Sequence, residues 1–422
     1  MSKARARRAS AGQLELFEAV RSAYQSMPDV PLDNEGLYKH VAQAVGISKQ
    51  ELSMRTPVGT SGQLHSLKRR EIRWCQQTLK HLKLIERVHG ERGVWRLTEG
   101  AKRDLHAAKK GVKLLAFSTD LGVAIWGAAA DTFKRLEVPI TLCFTSPPYS
   151  LRKSRAYGNP DEHGIVDFIC ENLEPIVENL AEDGSLVLNV SNDIFEEGLP
   201  SRSTYLERLV LAVCDRFDLK LMERFVWHNP SKLPGPIHWV SKTRQHLNVS
   251  YEPVLWFAKS PLKVKSDNRR VLQPHSDRHI RLMAQGGEKR ATEYGDGAYK
   301  LKPGSFGKWT EGKIPRNVLT LGHSCAINRD YRQRATDLGL PLHGAGMPLS
   351  LPEFLIQFLT EPGDLVVDPF GGRIVTGLAA EMLGRAWLCT EIMLEYIRGG
   401  AELFRQYPGF RLNPYLKDLR AA

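Results

Sequence analysis

The sequence lacks any uninterrupted run of about 18 apolar residues, the length a helix needs to cross a bilayer. No membrane-spanning helix and no membrane partner is therefore expected. The basic start, residues 1–10, has no apolar segment behind it and does not read as a secretory signal. Cysteine is scarce: Cys75, Cys143, Cys170, Cys214, Cys325 and Cys389 lie far apart and form no Cys-x-x-Cys pair. That spacing argues against a zinc knuckle or a disulfide framework and for reduced thiols in a cytoplasmic chain. His275 and His279 are four apart in a basic stretch, which reads as a surface arrangement, so no metal is expected.

Positive charge is in excess. The formal net charge is +12 over 422 residues, enough chain for two or three domains. Residues 1–110 hold 21 Lys and Arg against 11 Asp and Glu, residues 261–335 hold 16 against 7, and the remainder is net acidic. A basic excess confined to two segments points to a polyanion that touches those segments.

Residues 1–10 read as a disordered basic tail able to lie on phosphates. Residues 11–112 read as a winged helix that binds DNA. Leu14, Leu16, Phe17, Val20 and Tyr24 follow helical spacing. A second helix spans 34–45, with Gly46 placed to stop it and Ser48 placed to cap the next. A long helix over 65–83 carries Lys68, Arg69, Arg70 and Arg73 near its start, the candidate DNA contacts. Strand-like stretches at 84–88 and 93–97 then form a hairpin wing.

Residues 113–260 alternate strands (123–126, 140–145, 185–190, 219–227, 254–257) with helices around 128–136 and 167–181. Residues 336–422 resume that rhythm with a helix at 351–359, a strand at 364–368, a helix at 375–383 and a strand at 386–391. The alternation predicts a mostly parallel α/β sheet. Residues 261–335 have no clean period and scatter Tyr294, Tyr299, Phe306 and Trp309 among basic residues. A long irregular stretch inside an α/β enzyme reads as a functional insertion; Arg269 and Arg270 are its candidate DNA contacts.

The segment Thr145, Ser146, Pro147, Pro148, Tyr149 closes the apolar run 140–144. Ligands of open α/β sheets bind beyond the C-terminal ends of strands. Two prolines fix two φ angles and remove two donors, leaving a stiff corner with carbonyls, a hydroxyl and an aromatic ring. An exocyclic base amine is a poor nucleophile, because its lone pair is delocalised into the ring. Two acceptors on its N–H bonds, Ser146 Oγ and the Pro147 carbonyl, would draw it towards tetrahedral geometry. Tyr149 could stack on a base turned out of the helix. A second cluster, Asp368, Phe370, Gly371 and Gly372, lets backbone approach a ligand closely, and Glu391 ends the next strand, where a carboxylate can accept ribose hydroxyls.

The corner resembles motif IV of the amino-methyltransferases that modify DNA, in which Ser at this place is typical of N4-cytosine enzymes. Residues 366–372 and Thr376 resemble that family's cofactor motif, and His343, Met347 and Pro348 the motif preceding it. Residues 227–230 and 251–259 resemble its intermediate motifs. Catalytic motif first and cofactor motif last is the circularly permuted order of the β class. The resemblance implies a Rossmann-like sheet and S-adenosylmethionine bound by Thr145, His343, Met347, Pro348, Asp368, Phe370, Gly371, Gly372, Thr376 and Glu391. It further implies catalysis by Ser146, Pro147, Pro148 and Tyr149 on flipped cytosine in double-stranded DNA, with residues 261–335 as the target-recognition region. A companion restriction endonuclease would be a separate chain, and the protein would work in the cytoplasm at the nucleoid. Alternatives are N6-adenine methylation, or a DNA-binding regulator with a decayed methyltransferase fold. No cysteine follows a proline, which argues against C5 chemistry. One departure stands out: the family's Gly-Ser-Gly-Thr-Thr is here Gly372, Arg373, Ile374, Val375, Thr376. Either the loop turns differently or it grips the cofactor less well, and Arg373 either meets the methionine carboxylate or points to solvent.

Overall fold

The computed structural model describes residues 16–416 apart from 17, 18, 21, 22, 25–29, 59–62, 82, 83, 99, 100, 102–106, 109, 110, 135, 150–163, 197, 296 and 345. The expected basic tail, Leu14 and Phe17 lie outside the described residues. The chain divides into two compact units near residue 107.

In the N-terminal unit, local sequence signals set the helix ends. Asp33 accepts a hydrogen bond from the Gly36 N–H (2.7 Å) and opens the helix Asn34–Val45. Gly46, at φ 73°, closes it in the left-handed conformation. Ser48 and Glu51 form a reciprocal capping box for Lys49–Ser53. The basic helix runs Leu67–His81, and Ile85–Arg87 pairs antiparallel with Val94–Leu97. Leu32–Asp33 adds a third strand, and a small hairpin joins Thr56–Val58 to Gln63–His65; neither is legible in the sequence. Leu16, Val20, Tyr24, Leu37, Val41, Ile72, Leu79 and Trp95 form the core.

The second unit is built on a ten-stranded sheet. Its strands, numbered along the chain, are β1 Lys113–Ser118, β2 Gly122–Gly127, β3 Ile140–Thr145, β4 Leu180–Asn189, β5 Lys220–His228, β6 Tyr251–Ala258, β7 Val318–Thr320, β8 Leu365–Asp368, β9 Ala386–Glu391 and β10 Arg411–Leu412. The spatial order is β7-β5-β6-β4-β3-β8-β9-β2-β1-β10. The central strands β4, β3, β8, β9 and β2 are mutually parallel. Antiparallel strands β6 and β1 flank them, so the sheet is mixed. The central strands are buried on both faces, which is why they read as continuous apolar runs.

Helices Ile165–Glu178 and Tyr205–Phe217 cover one face, with Phe133, Ile169, Leu173, Leu209 and Val213 buried beneath them. Ser350–Leu359, Val375–Met382 and Leu394–Ala401 cover the other through Leu351, Leu355, Leu378 and Ile397. The insertion is more regular than its sequence. It holds the helix Asp277–Ala284 and the hairpin Thr292–Tyr294/Tyr299–Leu301. Its end supplies β7 to the sheet edge and the helix Ala326–Asp337, whose Tyr331 and Ala335 are core residues. The chain therefore passes between a parallel centre and irregular edges, and the order of connection reverses between β3 and β8, where ligand crevices form.

Candidate active site

β3 and β8 are neighbours in the sheet, paired through Leu142–Val366 and Cys143–Val367. Their ends bring the two sequence clusters together. Thr145 Oγ1 donates to Asp368 Oδ1 at 2.6 Å, Thr376 Oγ1 donates to Asp368 Oδ2 at 2.6 Å, and the Phe370 N–H donates to Asp368 Oδ1 at 3.0 Å. Asp368 is thus a buried bracket that ties the corner, the glycine loop and the following helix to one point. Burial pushes its carboxyl up to about 6. Thr145 and Asp368 lie beneath the loop, so they hold it in place.

The loop itself is fixed by backbone. Gly371 N–H donates to Thr390 O (2.8 Å), and Thr390 Oγ1 donates to Pro369 O (2.8 Å). Gly372 adopts φ 55°, and a Cβ there would stand 3.1 Å from His343 Nε2. Glu391, at the end of β9, accepts from the Gly372 N–H (2.8 Å) and the Met393 N–H (2.7 Å) through different oxygens. Burial pushes its carboxyl up to about 7, with Asp368 adding to the shift. His343 meets Tyr396 edge-on at 4.7 Å, Phe370 lies 5.9 Å from Phe168, and Pro348 is buried.

The departure at 373–375 is resolved in part. Ile374 takes φ 62°, ψ 37°, the left-handed conformation usually left to glycine, so the loop turns there as a glycine loop would. For a β-branched residue this costs about 1–3 kcal/mol. Ile374 is fully buried, and that burial returns roughly 2–3 kcal/mol. Its bulk fits because Gly371 and Gly377 beside it carry no side chain: a Cβ on either would come within 2.9 Å of Ile374. Arg373 does not point to solvent. It is 4% exposed, bonds to Asn328 Oδ1 and to Met347 O (2.6 Å), and lies over the Tyr331 ring. Burial pushes its guanidinium down to about 10.

On the other side of β3, Ser146 Oγ lies 2.8 Å from the Tyr149 hydroxyl. Tyr149 donates to Glu252 Oε2 (3.4 Å), and Asn189 Nδ2 donates to both the Tyr149 hydroxyl (3.3 Å) and Glu252 Oε2 (2.9 Å). Lys232 Nζ donates to Glu252 Oε1 at 3.1 Å. The register of β6 on β4, with Val254 opposite Asn189, puts Glu252 beside the corner. The network has a direction. A carboxylate only accepts, so at the Tyr149–Glu252 contact the phenol is the donor. Burial, with Glu252 adding to it, pushes the Tyr149 phenol well above its usual value, so that proton stays. At 2.8 Å either hydroxyl can donate to the other; with the Tyr149 proton on Glu252, Ser146 would donate to Tyr149 and keep its lone pairs for an N–H. Asn189, Lys232 and Glu252 were not singled out from sequence. Glu252 sits in a motif-like stretch, but its partner lies 63 positions away and only the sheet register joins them.

The expected DNA contacts are spread. Lys68 pairs with Glu71, and Arg69 pairs with Glu35 and covers Tyr38, while Arg70 and Arg73 are exposed. In the insertion Arg269 is exposed and clamps Asp267. Arg270 faces inward to the Lys265 and Thr360 carbonyls and to Glu361. Among the described residues no group of three His, Cys, Asp or Glu side chains could hold a metal ion. Nor is any helix among them long and apolar enough to cross a membrane.

This geometry has relatives. The DNA methylase family model for N6 and N4 enzymes matches residues 140–402. The type II methyltransferase M.PvuII of Proteus hauseri is 35% identical over 290 residues, 68% of this chain and 85% of that protein. The DNA adenine methyltransferase YhdJ of Escherichia coli (strain K12) is 24% identical over 69% of this chain and 85% of that protein. Among solved structures, the cytosine-N4-specific PvuII DNA methyltransferase superposes with a TM-score of 0.53 at 31% identity, covering 71% of this chain and 90% of that one. With its mixed α/β sheet and its two motif clusters joined at one crevice, the chain belongs to the N6/N4 family of DNA methylases, whose methyl donor is S-adenosylmethionine.

Proposed function

We propose that this chain methylates the N4 amine of cytosine in duplex DNA, after the base has left the helix. The observation that carries the reading is Ser146 Oγ held 2.8 Å from the Tyr149 hydroxyl, itself in contact with Glu252, so that Ser146 donating inward would offer the base amine an uncharged acceptor at the strand tip. The Pro147 carbonyl is the second acceptor, Pro148 stiffens the turn, and the partly buried Tyr149 ring takes the base by stacking. The name of the 35% identical relative's solved counterpart, cytosine-N4-specific, supports the same target. The adenine enzyme among the relatives keeps N6 methylation as the second reading. Mass spectrometry of nucleosides from methylated duplex separates them: N4-methylcytosine supports the proposal, and N6-methyladenine alone overturns it.

S-adenosylmethionine, when bound, supplies an activated methyl group on a sulfonium centre. The residues present fit it. Glu391 accepts the Gly372 and Met393 N–H groups through different oxygens, and the carboxylate has lone pairs beyond these for a ribose hydroxyl. Gly372 offers bare backbone where a side chain would close the space next to His343, and Met347 borders Arg373 on the same rim. Phe370 presents a half-exposed ring. The N-terminal unit serves as a winged helix, with Arg70 and Arg73 towards phosphates, and the insertion serves target recognition. A companion restriction endonuclease, as a separate chain, and a place at the nucleoid accord with this reading.

Glu391 gives the cofactor site a pH dependence. The binding form is the carboxylate, and the folded protein takes up its proton near pH 7. Affinity for S-adenosylmethionine should rise with pH up to about 7 and then level off. Glu391→Gln should bind more weakly and without that slope. Calorimetry between pH 5.5 and 8.5 checks both, and a flat profile for the unaltered protein would refute the role.

Glu252 directs the network without touching the base. Glu252→Gln gives Tyr149 a partner that can also donate, so the Ser146 proton is free to turn outward. Turnover should fall roughly 10- to 100-fold with the KM for DNA unchanged. Combined with Tyr149→Phe, the loss should be no larger than that of Tyr149→Phe alone; fully additive losses would break the proposed chain of bonds.

A further inference from the structure

The connection from β5 to β6, residues 229–250, leaves the sheet at its active-site end. Lys232 turns inward to Glu252, which is bonded to Tyr149. The very next side chain, Leu233, is 84% exposed, and Ile237 in the same limb is 64% exposed. Exposure alone means little, since single exposed apolar residues are common and Leu262, beyond the opposite end of β6, is also fully exposed. Leu233 differs in being covalently next to a residue held in the catalytic network.

The limb that carries it is stiff. Pro234 and Pro236 fix φ on either side of Gly235. Asn229 N–H donates to Ser250 O (2.8 Å), Lys232 N–H to Asn229 O (3.1 Å), Val249 N–H to Gly235 O (3.0 Å), and Val240 N–H to Pro236 O (3.0 Å). The His323 N–H donates to Ser231 Oγ at 3.3 Å, which ties the limb to the main body. The whole connection contains no Asp or Glu, and Lys242 and Arg244 are exposed on it. An apolar tip on a rigid, purely cationic limb suits a polyanion with a hydrophobic interior, which describes a nucleic-acid duplex.

We propose that Leu233, backed by Ile237, is the wedge that enters the base stack where the target base leaves it, with Lys242 and Arg244 on the flanking phosphates. Unstacking a step costs a few kcal/mol, and an apolar side chain filling the gap offsets part of that cost. Lys232 links the two events, since the residue beside the wedge holds the carboxylate that orients Ser146. The inference rests on the base-flipping reading above but does not depend on which base is methylated.

The test compares single-turnover methylation of a fully paired duplex with that of a duplex carrying an abasic site opposite the target, where the base is already free. Leu233→Ala should lose about tenfold or more on the paired duplex and recover to within about threefold of the unaltered protein on the abasic one. With 2-aminopurine at the target, its fluorescence rise on binding should shrink. Leu262→Ala should match the unaltered protein in all three. Equal losses of Leu233→Ala on both duplexes, or no loss on either, overturn the wedge. So does a smaller sedimenting species for Leu233→Ala than for the unaltered protein, which would make Leu233 a subunit contact. If the unaltered chain methylates neither duplex, the base-flipping reading itself falls, and the wedge with it.

Discussion

Ser146→Ala is expected to lower single-turnover methyl transfer roughly 100- to 1000-fold, the usual cost of losing one preorganised polar group aimed at developing charge. The affinity for S-adenosylmethionine should stay the same, because Ser146 bonds to Tyr149 and takes no part in the bracket at Asp368. The change is conservative for the fold: Ser146 is half-buried, and the alanine loses one hydrogen bond, about 1 kcal/mol. Pro147, Pro148 and β3 still set the turn. Rates by tritiated methyl transfer and affinities by calorimetry, measured on one preparation, check the split. A rate within threefold of the unaltered protein would remove Ser146 from the chemistry.

Asp368→Ala should cost cofactor binding and, below about pH 6, stability, whereas Asp368→Asn should keep most of the stability. Alanine strands the Thr145 and Thr376 hydroxyls and the Phe370 N–H, at about 1 kcal/mol each. Against that stands the cost of the buried charge: a carboxyl moved from 3.8 to about 6 reports about 3 kcal/mol of disfavoured ionisation. The two are similar in size above pH 6, so the stability loss of the alanine variant should grow as the pH drops and the native carboxyl takes its proton. Asparagine keeps an acceptor without the charge. A carboxyl with a raised folded value favours the fold below its unfolded value, near 4, and withdraws that contribution as the pH rises through 6. Asp368→Asn should therefore flatten the stability profile between pH 4 and 6. Urea titrations at several pH values check this. For cofactor, alanine should lose measurable binding, because the loop that bears Phe370 and Gly372 loses its anchor. Wild-type affinity in Asp368→Ala would show that the loop is held by other means.

The parts of this protein that could be read from its sequence were those whose causes are local. A proline pair, a Gly46 stop and a Ser48 cap each act within a few residues, and each stands where expected. Central strands announced themselves as apolar runs because both of their faces are covered. The helix Tyr205–Phe217 was not expected although its spacing is legible, with Tyr205, Leu209, Val210 and Val213 on one buried face and Arg208, Asp215 and Arg216 exposed. The outer strands β1, β7 and β10 were missed because they are short or partly exposed and take their form from a neighbour. The insertion looked irregular because its elements are only three to twelve residues long. At the site, the glycine loop was legible as a motif, but the conformation of Ile374 was not, since propensity argues against a β-branched residue there and burial decides otherwise. The Glu252 network was invisible for a different reason: nothing in spacing tells which strands will lie side by side.

Thr145 and Asp368 touch across 223 residues of chain. During synthesis the proline corner that follows β3 is made long before the glycine loop that follows β8. β8 must then slip between β3 and β9, and β9 itself is made last of the three. The bond between the two clusters therefore waits on the later part of the chain, and one four-residue strand joins them at the centre of the sheet.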